Sequence, residues 1–132
     1  MSQENVEVVR RAIDAFNERD LDAALRDVDP EVELDWSRSR GVRAAIYRGH
    51  EAFRTFWSDF SDTFERITIT PEEFIEFGDH VVVPNRGLAS GRDGIEVPAR
   101  SAVVVTLRDG RIVRWCLYQA KAEALKAVGL AE

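Results

Sequence analysis

Apolar positions follow mainly a helical period over the first half of the chain and a strand period over most of the second. Over residues 3–18, Val6, Val9, Ala12, Ile13 and Phe16 fall on one helical stripe, with Arg10, Arg11, Asp14 and Glu18 opposite. Ser2 stands where an N-cap belongs, and the Asn17-Glu18-Arg19-Asp20 cluster ends the helix. A shorter helix is expected over 21–28, apolar at Leu21, Ala24, Leu25 and Val28, with Pro30 at its exit. Residues 32–36 read as a short strand, and 37–45, polar, rich in Arg and broken by Gly41, as a mobile loop. After Tyr47-Arg48-Gly49-His50, a third helix carries Phe53, Phe56, Trp57, Phe60 and Phe64 at helical spacing. Such a stripe packs a core, and aromatic side chains also line small-molecule pockets.

From Ile67 onward the period is that of strands: 67–77, with Pro71 as a candidate break, then 80–90 after a Gly78-Asp79 turn, then a hairpin over 97–119. Asp109-Gly110 between β-branched and aromatic runs is a strong hairpin signal, because both central residues of a type I′ turn take positive φ. A two-residue turn there sets Leu107 opposite Ile112, Val105 opposite Arg114, Val104 opposite Trp115 and Ala102 opposite Leu117. One face then carries Arg100, Ala102, Val104, Trp115, Leu117 and Gln119. The other carries Ser101, Val103, Val105, Leu107, Ile112, Arg114, Cys116 and Tyr118. A similar turn at Asp93-Gly94 places Asn85 opposite Ala102, on the first face; Pro84, which cannot donate to a ladder, loosens that register. Both faces are too apolar for open water. The N-terminal helices can cover one. The other, through Val103, Val105, Leu107, Ile112 and Cys116, is expected to be buried in a homodimer, with Arg114 and Tyr118 at the rim or making cross-subunit hydrogen bonds. Helices followed by a twisted antiparallel or mixed sheet give a single α+β domain over residues 1–132.

Composition narrows the chemistry. With 132 residues, 45% hydrophobic and 32% charged, the chain has the make-up of one globular domain. The net charge of −6, without a basic stripe, argues against nucleic acid or an anionic membrane surface as partner. No apolar run approaches the ~20 residues of a membrane span. The N-terminus has no signal-peptide core, so a cytoplasmic location is expected. The single cysteine, Cys116, excludes an internal disulfide and reads as a buried structural thiol. His50 and His80 lack Cys or His companions, so neither a metal nor another cofactor is expected.

Three stretches resemble the SnoaL-like branch of the nuclear transport factor 2-like superfamily: AFNERDLDAALRDVDPEVELDW, YRGHEAFRTFW and TLRDGRIVRWCLY. The resemblance runs end to end. It implies a cone: a strongly curved sheet wrapped around three N-terminal helices, with an apolar pocket inside. Members include ketosteroid isomerases, polyketide cyclases, scytalone dehydratase, limonene epoxide hydrolase and proteins without catalysis, so chemistry must come from residues. In the ketosteroid isomerases the general base is an Asp ending the first strand, and Asp35 takes that place here. The oxyanion donors of that pattern fall on Ala12 and Ala102, which implies no steroid isomerase of that type. The epoxide hydrolase pattern brackets an Arg with carboxylates, whereas Arg86 and Arg100 each lack an acid two residues on.

The candidate site that results has Asp35 as general base, its pKa raised by an apolar mouth. Asn85 and Gln119 orient oxygen atoms, and Trp36, Tyr47, Phe56, Trp57, Trp115 and Leu117 form the walls. Strand alternation alone leaves Asp35 opposite Leu34 and Trp36, in solvent or anchoring a loop, unless the strand kinks inward. Arg100 either reaches the pocket or snorkels at the sheet edge. The function expected is binding of a small apolar molecule, by a cofactor-free isomerase, cyclase or hydrolase acting on a cyclic substrate. The alternatives are a non-catalytic lipophilic-ligand binder and a dimeric interaction module.

Overall fold

The computed structural model describes residues 2–39, 45–91 and 96–130. Its elements are α1 (Ser2–Asn17), α2 (Leu21–Ala24), β1 (Val28–Asp35), β2 (Ile46–Arg48), α3 (Gly49–Thr63), β3 (Arg66–Pro71), β4 (Ile75–Phe77), β5 (His80–Ser90), β6 (Glu96–Arg108), β7 (Arg111–Tyr118) and α4 (Lys121–Ala127). The α+β class and the three N-terminal helices stand as expected. The sheet is open and seven-stranded, in the order β2-β1-β7-β6-β5-β3 with β4 beside β5. It is mixed because β1 runs parallel to β7.

Several boundaries differ from the sequence expectation. The second helix stops at Ala24, although Asp20 caps its start, Oδ1 accepting from Ala23 N at 3.1 Å. Val28 starts the first strand, paired with Ile112, so Pro30 lies within that strand. The 67–77 run splits after Pro71, as its missing N–H allows. The short β2 was not foreseen. Most of the expected 37–45 loop, and the Asp93-Gly94 turn, lie outside the described residues.

The register holds the main correction. Asp109 and Gly110 both take positive φ, and Leu107 faces Ile112 as expected. One residue later an irregularity at Val113 shifts the pairing: Val105 faces Trp115, Val104 faces Cys116 and Ala102 faces Tyr118. Between β5 and β6 the last pair is Ser90 with Glu96, so Asn85 faces Ser101 rather than Ala102. Each slip of one residue turns a strand over. Val103, Val105, Leu107 and Ile112 therefore pack under the helices, in one apolar cluster with Val9, Ile13, Leu34, Phe56, Trp115 and Leu117. Full burial of each such side chain stabilises by roughly 1.5–3 kcal/mol. Ala102, Val104, Cys116 and Tyr118 occupy the outer face, covered in part by Ala124, Leu125 and Val128 of α4 and its exit. The patch that motivated a homodimer is thus mostly helix-side core, and the homodimer loses that support.

At the far edge of the sheet, α1 ends in a Schellman turn with Arg19 at positive φ; Arg19 N bonds Phe16 O and Asp20 N bonds Ala15 O. That turn aims Asn17 at the open side of β3. Its Nδ2 donates to Ile69 O and its Oδ1 accepts from Ile69 N, both at 2.8 Å. One carboxamide thereby occupies both free edge groups of Ile69, where another strand could otherwise pair. Asn17→Ala is expected to cost about 1–3 kcal/mol, the net worth of two hydrogen bonds. Urea unfolding with amide exchange at Ile69 checks it, and unchanged protection of that amide would contradict the assignment.

Candidate functional site

The helix-facing side of the sheet gathers the aromatic residues that the sequence singled out. Trp36 lies 5.2 Å and Tyr47 5.0 Å from the Phe56 ring, and Phe56 lies 5.9 Å from Trp57. Phe16 of α1 meets Trp57 edge to face, and Trp115 and Leu117 close the same cluster from β7. These contacts follow from the helical spacing of Phe53, Phe56 and Trp57, which turns all three toward the sheet. Where α1, α3 and β3 meet, a cavity of about 250 Å³ remains. Phe16, Leu21, Trp57, Ile67 and Ile69 wall it, and Asn17, Arg19, Asp20 and Ser58 stand at its edge. Phe16 was legible only as a core residue, and Ile67 and Ile69 only as strand residues. Nothing in their local pattern marks a cavity, which arises where a helix end meets a sheet edge.

Asn85 also faces the helices, opposite Ser101 on β6 and Pro71 on β3. It is 5% exposed, and its Oδ1 has no hydrogen-bond partner among the described residues. Buried polar atoms are nearly always paired, so an orphaned acceptor in an apolar layer is a conspicuous cost.

Asp35 lies elsewhere. Its neighbour Leu34 pairs with Trp115 on the helix side, so Asp35, paired with Cys116, points to the outer face. There it is 5% exposed and well supplied with donors. Ser37 Oγ donates at 2.6 Å, Ser37 N at 3.1 Å, Arg114 Nη2 at 2.9 Å and Arg38 Nη1 at 3.5 Å. Burial by itself lifts the Asp35 carboxyl, but the Ser37 bonds and the charges of Arg114 and Arg38 outweigh it and hold the pKa below its usual value. This corrects the raised pKa expected for a general base; of the two placements left open by the sequence, the strand follows the one without an inward kink. Arg114 also donates from Nε to Glu33 Oε2 at 3.1 Å. Burial opposes its charge, yet the bond to Glu33 and the nearby acids keep it more firmly protonated than usual. Arg38 extends over the Tyr118 ring, 4.6 Å from its centroid, and donates to Cys116 Sγ at 3.4 Å. Cys116 is fully buried and its thiol pKa is pushed up by that burial, which suits a structural thiol.

Two further candidates fall outside the helix-side cluster. Arg100, expected on the pocket face, lies on the outer face with a largely exposed side chain, sharing Glu72 with Arg86 at 3.5 and 3.4 Å. Both line a second, larger space of about 400 Å³, a shelf over Leu88 and Pro98 at the outer end of β5 and β6. Gln119 is spent on the loop after β1: its Nε2 donates to Arg38 O at 2.6 Å. The structure therefore unites Trp36, Tyr47, Phe56, Trp57, Trp115, Leu117 and Asn85 on one side of the sheet, and separates Asp35, Arg100 and Gln119 from them.

Comparison with known proteins agrees with this architecture. Residues 9–115 match the SnoaL-like domain. A nuclear transport factor 2-like protein of unknown function from Burkholderia pseudomallei is 24% identical, with 98% of this chain and 99% of that one covered and a TM-score of 0.80. TerC, crystallised with polyporic acid, is 23% identical over 95% of this chain and 97% of its own, with a TM-score of 0.80. A Mycobacterium tuberculosis protein in complex with estradiol-17β-hemisuccinate is 15% identical over 89% and 94%, with a TM-score of 0.78. At these identities the likeness establishes the fold. No curated protein sequence matches the chain at a significant level.

Proposed function

The chain belongs to the SnoaL-like domain family, and from that premise we propose that it binds a small, largely apolar organic molecule in the helix-facing cavity. The observation that carries this is the cavity itself, about 250 Å³, with Phe16 and Trp57 from two helices facing Ile67 and Ile69 from the sheet. Concave, aromatic-lined space with a few polar groups at its rim is where small molecules bind. The outer shelf is larger, but its arginines are exposed and it is walled by strands β3, β5 and β6 alone, with no helix over it, so it encloses less of any ligand. The ligands named for TerC and for the M. tuberculosis protein, both multi-ring molecules, point the same way.

Binding without covalent chemistry is the better-supported form. A proton acceptor at pH 7 works best with a pKa near that pH, within reach of the substrate. Asp35 has a lowered pKa and faces away from the cavity. The enzyme form of the proposal, with Asp35 as base, would need substrate on the outer face.

The test uses 2-naphthol as probe, followed by calorimetry and by tryptophan fluorescence. Saturable binding is expected, weakened about tenfold by Trp57→Leu, since an aromatic contact is worth roughly 0.5–1.5 kcal/mol beyond its buried area. Absence of saturation up to millimolar probe, or full affinity in the variant, would refute the site.

A further inference from the structure

On the outer face of the sheet, Arg86 and Arg100 stand side by side on neighbouring strands and share one carboxylate, that of Glu72. We propose that the outer shelf is a second binding site, for a small apolar monocarboxylate. Its carboxylate bridges Arg86 and Arg100, and its apolar body lies over Leu88 and Pro98, all four of which line the shelf. This site is distinct from the helix-facing cavity and does not depend on it.

The positive row follows from the register. Thr70 on β3 pairs with Arg86 on β5, and Arg86 pairs with Arg100 on β6, so the three stand in line across the strands. Like charges directly opposite one another are destabilising, and an anion between them relieves the repulsion. Glu72 does so only in part. Its N–H donates to Pro84 O at 2.8 Å, which fixes it just past the end of β3. Its Oε2 lies 3.4 Å from Arg86 Nε and 3.5 Å from Arg100 Nη2. Charge-assisted hydrogen bonds run about 2.7–2.9 Å, so both contacts are loose. One carboxylate shared by two guanidinium groups leaves the row net positive among the described residues. The two arginine side chains are 61% and 73% exposed, so most of their N–H donors stay open to an incoming oxyanion.

The next row along the strands is apolar. Leu88 pairs with Pro98 on the same face, and Leu88 is 39% exposed, an uncovered hydrophobic side chain beside the arginines. Two residues along a strand span roughly 6.5–7 Å, so a carboxylate attached directly to a flat ring system touches both rows at once. The space of about 400 Å³ lies in the size range of small-molecule sites. The charge selects the head group. The planar fork of a guanidinium matches a carboxylate, and a single negative charge balances the row. A phosphate dianion would overshoot it beside Glu72, in a chain whose net charge is already −6. Beyond Leu88, Arg66 and Glu96 flank Ser90 and offset each other, so the positive excess stays with Arg86 and Arg100. With no helix over the shelf, a neutral ligand loses too little water to be held there, and the charge supplies the difference.

The experiment titrates 2-naphthoate into the protein at low salt, followed by calorimetry and by the methyl signals of Leu88. Beside it run 2-naphthamide, which keeps the rings without the charge, and inorganic phosphate, which keeps charge without the rings. Naphthoate is expected to bind saturably and about tenfold more tightly than the amide, the ratio that two exposed ion pairs supply. Arg100→Gln should weaken it about threefold to fivefold, and Glu72→Gln should tighten it by a similar factor, because Glu72 competes for the same donors. Raising the ionic strength from about 0.01 M to about 0.15 M shortens the screening length from roughly 30 Å to roughly 8 Å and should weaken binding further. Trp57→Leu should leave naphthoate affinity unchanged; a loss there would move the ligand to the helix-facing cavity and overturn the shelf. Equal affinity for the amide, or phosphate bound as tightly as naphthoate, would overturn it as well. So would absence of saturation, and a doubled mass by light scattering would then assign the shelf to a second copy of the chain. The wild-type comparison of naphthoate with its amide decides the matter without any variant.

Discussion

Val105→Glu is expected to abolish folding. Val105 is fully buried on the central strand β6, flanked by Val81 on β5 and Trp115 on β7, and all three face the helices in one apolar cluster. A glutamate there cannot reach water along the sheet, because strands lie on both sides, nor away from it, because α1 and α3 cover that face. An unpaired buried charge costs roughly 3–5 kcal/mol or more, a large share of the 5–15 kcal/mol that holds a domain of this size together. Circular dichroism and amide proton dispersion should show an unfolded chain. A folded Val105→Glu monomer would place Val105 at an interface instead, as the sequence pattern alone suggests, and would refute its place beneath the helices.

That contrast shows where the sequence stops being legible. Period and turn chemistry identify the order and type of nearly every element, because helical stripes and Asp-Gly turns are local signals. The aromatic shell of Trp36, Tyr47, Phe56, Trp57 and Trp115 follows from the same periodicity. Register does not, because it depends on events of one residue: the irregularity at Val113, and the length of the connection between Ser90 and Glu96. Each slip inverts a strand, and the two slips fall on either side of β6. For Asn85 they cancel, so it lies with Trp115 and Leu117 as expected. For the residues of β6 itself they do not. Arg100, Ala102 and Val104 belong to the outer face, and the small Ala102, expected to leave room in a pocket, packs beside Tyr118 instead. The cavity is out of reach of the sequence for another reason: it is walled by residues from α1, α3 and β3, which only the tertiary fold brings together.

Asp35 is the instructive middle case. Plain alternation places it opposite Leu34, and the resemblance to ketosteroid isomerases suggests an inward kink; the structure follows the alternation. Its burial is not legible in the local pattern, because the donors that surround it arrive from Ser37, Arg38 and, across the sheet, Arg114.

Asp35→Asn should accordingly destabilise the protein by about 2 kcal/mol at pH 7. Breaking a buried pair by removing one partner costs more than this, but the Arg38 and Arg114 side chains are 46% and 36% exposed, and water screens part of the loss. The pH dependence has a defined sign. The folded-state pKa of Asp35 lies below the unfolded value, so its charge stabilises the native state above about pH 4 and stops doing so as pH falls through the lowered folded value. Asparagine does not titrate at this position. Wild type and variant should therefore differ most near neutrality and converge in acid, as urea midpoints measured from pH 7 down to pH 2 would record. Affinity for 2-naphthol should stay within about twofold, because the carboxylate and the cavity lie on opposite faces of the sheet. A proton-acceptor role predicts the reverse: stability nearly unchanged, and any turnover reduced roughly a hundredfold or more. A stability difference that persists unchanged into acid would count against the ion-paired anchor, and a large loss of probe affinity would return Asp35 to the binding site.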